Sequence, residues 1–232
     1  MQENQFLPTL ASHLLKVAKS NSGKAPSERE LAEHFEVSRG QIREALAILE
    51  AMELIERRAK SGIYVKENQH GIEQMAFYAR AGIPLEPLQI YEAVEVRKIH
   101  EIQAAELAAE RATEENFERL REILKASEER IADGQGLARL DHEFHLEIVR
   151  ATQNSIFHNI CTTFYVLSET RLPVYFEKEE RSRKSHADHM QIFDALVHRD
   201  GSLAKALMNS HLRNARSYWT ELLEPSGENT PE

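Results

Sequence analysis

Four residues in the second half of the chain have the types and spacing of a metal site. Asp141 and His145 stand four apart in LARLDHEFHLEIVRA, so on a helix both side chains lie on one face and converge. His189 in HADHMQIFDAL and His211 in MNSHLRNA each fall on a face otherwise lined by apolar residues. Three imidazoles and one carboxylate suit a divalent ion, Zn²⁺ first and then Ni²⁺, Mn²⁺ or Fe²⁺, and leave coordination positions open. Taken singly, each residue has a simpler reading: an intrahelical Asp141–His145 hydrogen bond, or satisfied, partly buried histidines at 189 and 211. His142 points to another face, and His186 can either line the same cavity or stand in solvent.

Two further sets could do chemistry. Arg97 sits on a largely apolar helix, where a buried guanidinium needs an anion, and Glu101 one turn on can supply an ordinary salt bridge. Near the N-terminus, Ser38, Arg39, Gln41 and Arg43 gather at the start of a short helix. Arginine can bond guanine in two places, Ser and Gln have hydrogen-bonding ends, and a helix N-terminus adds backbone donors for phosphate. Arg57, Arg58, Lys60 and Lys66 follow without an intervening acid, Gly62 lets the backbone approach a duplex, and Arg29 completes a phosphate clamp. Each of these is an ordinary solvated charge by itself; their joint position within forty residues points to DNA.

The elements that must position these groups are legible as well. Ser27 with Glu30 and Ser38 with Gln41 have capping-box spacing, so helices begin at both serines with only a tight turn between them. Leu31, Ala32, Phe35, Val37, Ile42, Ala45, Leu46 and Leu49 give these helices an apolar seam. Two β-prone runs, Leu54–Arg57 and Ile63–Lys66, flank a Lys-Ser-Gly turn, which makes the first 70 residues a winged helix-turn-helix. From 71 to 224 the pattern is helical throughout, with helices over roughly 88–112, 114–132 (capped by Thr113), 137–151, Asn154 to Pro173, 180–199, and Asp200 through Leu223. The fold class is mostly α, a winged helix followed by an antiparallel helical bundle, with a flexible tail at 225–232.

Charge sharpens the division. The 232 residues carry 29 Lys+Arg and 38 Asp+Glu, a net of −9, which would repel a polyanion. Residues 1–66, however, hold ten Lys/Arg and nine Asp/Glu, so nearly all the acidity belongs to the remainder. One cysteine excludes an intramolecular disulfide and a CxxC zinc ribbon. No apolar run approaches the ~18 residues of a membrane span, and no basic flank precedes an apolar core at the N-terminus, so a soluble cytoplasmic protein without membrane partners is expected.

The stretch PSERELAEHFEVSRGQIREALAILEAMELIERRAKSGIYV resembles the winged-helix domain of GntR-type bacterial transcription regulators. The helical remainder resembles the FadR subgroup with its FCD-type effector domain, and the likeness covers about residues 8–223. It implies that Arg29, Ser38, Arg39, Gln41, Arg43 and Gly62 contact operator DNA, and that Asp141, His145, His189 and His211 bind a divalent metal. It further implies that Arg97 meets the carboxylate of a small organic acid; Asn214, three residues after His211, can hydrogen-bond the same ligand or stand as a solvated polar residue. Two departures stand out: SNSGKAP replaces the usual Pro-Gly turn, and Gly40 stands where a small residue such as Thr is common. The expected function is a homodimeric regulator, a repressor, that binds a pseudo-palindromic duplex and answers to an organic acid held beside the metal. The rivals are a metal-dependent hydrolase carrying a DNA-binding module, and a bundle that serves dimerisation alone.

Overall fold

The computed structural model describes residues 3–59, 61–66, 71–83, 87–168 and 172–223, apart from the side chains of 3–5, 19–20, 73, 87 and 214–223. Lys60 of the wing, the Asn214 side chain and the expected tail at 225–232 lie outside the described residues. The elements are α1 (Glu3–Ser20), α2 (Glu28–Phe35), α3 (Arg39–Ala51), β1 (Ile55–Arg58), β2 (Gly62–Val65), α4 (Ile72–Arg80), α5 (Pro87–Arg111), α6 (Glu114–Ala132), α7 (Ala138–Ala151), α8 (Ser155–Val166), α9 (Leu172–Tyr175), α10 (Glu179–Val197) and α11 (Gly201–Leu223). They form two compact units, Met1–Leu85 and Glu86–Glu232. α4 goes with the first unit, where Phe77, Tyr78 and Ile83, on and just after that helix, pack on the core.

In the first unit both expected capping boxes form. Ser27 and Glu30 close the start of α2, Ser38 and Gln41 that of α3, and Glu36 makes the turn between them in a left-handed conformation. Leu31, Ile42, Ala45, Leu46 and Leu49 are buried together, as their spacing predicts. They are joined by Leu10 and Leu14 of α1, a helix the capping and wing signals do not reveal. The wing is antiparallel, pairing Ile55 with Val65 and Arg58 with Gly62, so the expected runs shift by one residue at each strand. The segment before α2 adds a further edge: the Ala25 amide donates to the Ile63 carbonyl at 2.9 Å and the Val65 amide to the Gly23 carbonyl at 2.8 Å.

The second unit is the helical bundle. α5 packs on α11, α10 and α7, while α6 closes against α7 and α10. The face of α5 that meets its neighbours is made of small residues, Ala104, Ala105, Ala108 and Ala109, all fully buried. Gly201 continues that closeness: a Cβ there would stand 3.2 Å from the Glu106 carbonyl oxygen. Thr113, Asn154 and Asp200 cap α6, α8 and α11, with side-chain oxygens accepting from backbone amides of Asn116, Phe157 and Leu203. The single helix expected from Asn154 to Pro173 is interrupted: α8 ends at Val166, and the chain resumes as the four-residue α9.

His100 on α5 is buried against the rings of Phe157 and Phe164, and among the described residues its Nε2 has no hydrogen-bond partner. Burial, aided by the Arg97 charge and opposed by Glu101, lowers its pKa from the usual ~6.5. Between the lowered folded value and ~6.5 the unfolded chain binds the extra proton, so this residue subtracts stability as pH falls below ~6.5. His100→Leu is therefore expected to flatten the decline in unfolding free energy between about pH 7.5 and pH 5.5, read from urea melts. Equal declines in both proteins would contradict this.

Candidate metal centre and nucleic-acid interface

Four helical side chains of the second unit converge. α7 supplies Asp141 and His145 one turn apart, α10 supplies His189 and α11 supplies His211. The Nε2 atom of His211 lies 3.2 Å from Nε2 of both His189 and His145. Asp141 Oδ1 lies 3.5 Å from His189 Nε2 and 3.9 Å from His145 Nε2, and all four ligand atoms fall within 4.8 Å of one another. Atoms bonded at about 2.0–2.1 Å to one ion stand roughly 2.9–3.4 Å apart, so the two spacings from His211 match and the carboxylate is a small shift away.

The surroundings fix the direction of the rings. Behind His145, Nδ1 is 2.6 Å from Glu101 Oε2, a close but bent contact that misses hydrogen-bond geometry. Behind His211, Nδ1 is 3.2 Å from Asp188 Oδ2. A carboxylate at Nδ1 holds the proton there and leaves the Nε2 lone pair facing inward. His189 stacks on Phe144 with centroids 4.0 Å apart, and Ser185 Oγ donates to Asp141 Oδ1 at 2.9 Å. Burial, together with the neighbouring imidazoles, holds the His189 pKa well below its usual value; burial likewise lowers that of His211 against the pull of Asp188. Both rings are thus neutral, the form that ligates metals. Inward lone pairs 3.2 Å apart repel one another unless a cation or proton lies between them, so the donor set fits a divalent ion.

Arg97 is only 13% exposed at its side chain and is engaged. Its Nε donates to Glu101 Oε1 at 2.5 Å, and the Tyr165 hydroxyl donates to the same oxygen at 2.5 Å. Its Nη2 is 4.0 Å from Asp141 Oδ2, the oxygen more distant from the histidines. Burial disfavours both charges in the Arg97–Glu101 pair, but their mutual attraction outweighs it, so the carboxyl stays ionised and the guanidinium stays charged. Arg97, Asp141, Tyr175, Lys184, Ser185 and His211 line a cavity of about 30 Å³ beside the ligand set. His186 is not among the described lining residues, and its Nδ1 is buried without a hydrogen-bond partner among the described residues. Glu101 and Asp188 in their backing roles, with Ser185 and Tyr165, were not foreseen from the sequence. The only hints are the four-residue step from Arg97 to Glu101 and the adjacency of Asp188 to His189.

In the first unit, Arg29, Arg39 and Arg43 are exposed on α2 and α3. Arg29 Nε is 3.8 Å from Glu33, and Arg43 Nε is 3.2 Å from Glu28. Ser38 and Gln41 are largely occupied with each other: Gln41 Oε1 accepts from the Ser38 amide and hydroxyl, each at 3.0 Å. Their first task is thus to start α3 and aim its N-terminus. Arg57 reaches back to α3, with Nε 3.2 Å from Glu50 and Nη2 donating to the Arg43 carbonyl at 3.3 Å. Arg58 lies 4.1 Å over the Tyr64 ring. Gly62 has φ of +124°, which side chains rarely adopt, and a Cβ there would meet Lys24 at 3.4 Å. Lys24, Ser27, Arg57, Arg58, Ser61 and Gly62 line one open concavity between the wing and α2. Lys24, passed over in the sequence reading, thus joins the basic residues of this face.

A winged helix followed by an all-helical unit is the architecture of a DNA-binding transcription regulator. Residues 20–65 match the gntR family of bacterial regulatory proteins and residues 92–214 match the FCD domain, and the chain belongs to that family. It is 34% identical over 196 residues to the HTH-type transcriptional regulator LutR of Bacillus subtilis, spanning 82% of this chain and 89% of that protein. It is 29% identical over 202 residues to the HTH-type transcriptional repressor NanR of Cronobacter sakazakii, spanning 85% and 77%. Among solved structures, Lar of Listeria monocytogenes aligns over 93% of this chain and 97% of its own with a TM-score of 0.65 at 18% identity, a likeness of fold. These relatives are regulators, and the hydrolase alternative is set aside: the chain is not an enzyme. No helix among the described residues is long and apolar enough to cross a membrane.

Proposed function

We propose that this regulator is a cytoplasmic homodimeric repressor that binds a pseudo-palindromic operator and is controlled by a small organic acid held beside a divalent metal, Zn²⁺ first, in the helical unit. Asp141, His145, His189 and His211 hold the ion, Arg97 receives the acid's carboxylate with Asn214 as a further contact, and Arg29, Ser38, Arg39, Gln41, Arg43 and Gly62 face the duplex. The observation that carries the reading is the convergence of three carboxylate-backed or ring-stacked imidazoles with Asp141, and of Arg97 on the far oxygen of that same Asp141. The repressor assignment draws on the relative named as one.

When bound, the metal supplies a Lewis-acidic anchor for an oxygen of the acid. The chain's own residues do the rest. Arg97 and Lys184 offer positive charge at the cavity, Ser185 fixes the Asp141 carboxylate, and Tyr175 walls the space. A cavity of about 30 Å³ admits water but not an organic acid, so α9 and the side chains around it must give way on binding. That displacement is the event by which a ligand would bias the placement of the two DNA readers of a dimer, whose half-sites demand a fixed spacing.

The test is a thermal-shift screen of organic acids with and without Zn²⁺, since a ligand that binds only the folded state raises its melting temperature by mass action. At least one acid is expected to stabilise the protein only when metal is present, and protein purified without a metal-binding tag is expected to carry about one divalent ion per chain. Asp141→Ala is expected to abolish both responses while operator binding remains measurable. A metal-free wild type that gains nothing from added Zn²⁺ leaves the bundle a dimerisation unit.

A further inference from the structure

We infer that Glu101 is a positioning residue for which three groups compete, and that this competition couples occupancy of Arg97 to the strength of metal binding. The inference rests on the metal reading above. Glu101 is 1% exposed and lies on α5, outside the ligand set. One of its oxygens, Oε1, is shared by Arg97 Nε and the Tyr165 hydroxyl, both at 2.5 Å. The other, Oε2, is 2.6 Å from His145 Nδ1. One buried carboxylate thus serves a guanidinium, a phenol and the rear of a metal-binding imidazole.

The consequence follows from how a carboxylate divides its charge. A carboxylate behind a ligating histidine raises the electron density at the opposite nitrogen, and removing such a partner typically weakens metal binding by about 10–100-fold. Donors on the same carboxylate draw that density away. With Arg97 and Tyr165 both on Oε1, Glu101 supports His145 at less than full strength. When Arg97 turns toward an incoming carboxylate, Glu101 loses its strongest competitor and is free to straighten onto His145 Nδ1. Acid binding then tightens the metal site and, by reciprocity, metal tightens acid binding, with no shared ligand atom required.

Tyr165→Phe tests this without altering any charge. It removes one donor from Oε1, so Zn²⁺ affinity, measured by competition with a fluorescent chelator, is expected to rise by about two- to fivefold. A merely structural role for Tyr165 gives the opposite sign, because a lost buried hydrogen bond loosens the site. Glu101→Gln is expected to weaken Zn²⁺ by about 10–100-fold. The double variant Arg97→Met/Glu101→Gln removes both buried charges together, and so keeps the measurement available if the single substitution does not fold. In that background Tyr165→Phe is expected to have no effect on Zn²⁺ affinity. Unchanged or weakened Zn²⁺ binding in Tyr165→Phe overturns the inference, as does an equal effect of Tyr165→Phe with and without Glu101. A wild-type protein that takes up no Zn²⁺ overturns the metal reading itself, and the two failures are therefore distinct.

Discussion

His145→Ala is expected to lower Zn²⁺ affinity by on the order of 10²–10³-fold. Structural zinc sites with four ligands bind with apparent free energies of about 10–16 kcal/mol, so an average ligand accounts for roughly 2.5–4 kcal/mol. His145 should not fall below that average. Its Nε2 is 3.2 Å from that of His211, its rear nitrogen faces Glu101, and it is 1% exposed, so water cannot readily replace it. Chelator competition reads the affinity, and a fluorescence-anisotropy titration on operator DNA should show binding retained, since the substitution lies in the second unit. Zn²⁺ affinity within about threefold of wild type would remove His145 from the ligand set.

Arg39→Ala is expected to cost 1–3 kcal/mol of operator binding, about 5- to 150-fold, and to relax preference at one base position in each half-site. Arg39 occupies the first turn of α3 and is exposed, the place from which a recognition helix reaches base edges. Arg43→Ala should cost less, because Arg43 must first leave Glu28 at 3.2 Å. Titrations on cognate and scrambled duplexes at several salt concentrations separate the roles. A loss confined to the cognate duplex marks a base contact, an equal loss on both marks a phosphate contact, and no loss on either excludes Arg39 from the interface.

Local signals carried most of the fold. The capping boxes at Ser27 and Ser38 are short-range devices, in which an oxygen and an amide three residues apart satisfy each other, so their spacing alone located two helix starts, and Thr113 located a third as a capping residue type. The Asp141–His145 pair was legible for the same reason, one turn of helix. What escaped notice depends on packing between distant segments. α1 carries no cap or wing signal and is recognised by Leu10 and Leu14 filling the seam of the first unit. Glu101 reads as the salt-bridge partner of Arg97, and its second face toward His145 is created by the packing of α5 on α7. Asp188 sits beside His189 in sequence yet backs His211, because adjacent residues on α10 point in different directions. Ser38 and Gln41 show the converse: residue types that suggest base readers are partly consumed by the helix start they create.

The alanine seam of α5 sets where this molecule can yield. Ala104, Ala105, Ala108 and Ala109 are fully buried, and Gly201 brings the start of α11 to van der Waals contact with the Glu106 backbone. Side chains this short have no alternative rotamers with which to absorb a displacement, so the α5–α11 pair should move as one stiff rod or not at all. In hydrogen–deuterium exchange, the amides of residues 104–112 should be among the last to exchange, opening only with global unfolding. Arg97 lies two turns before this seam on α5 and His211 beyond it on α11, so the rod would carry both the proposed acid contact and a proposed metal ligand on one rigid frame.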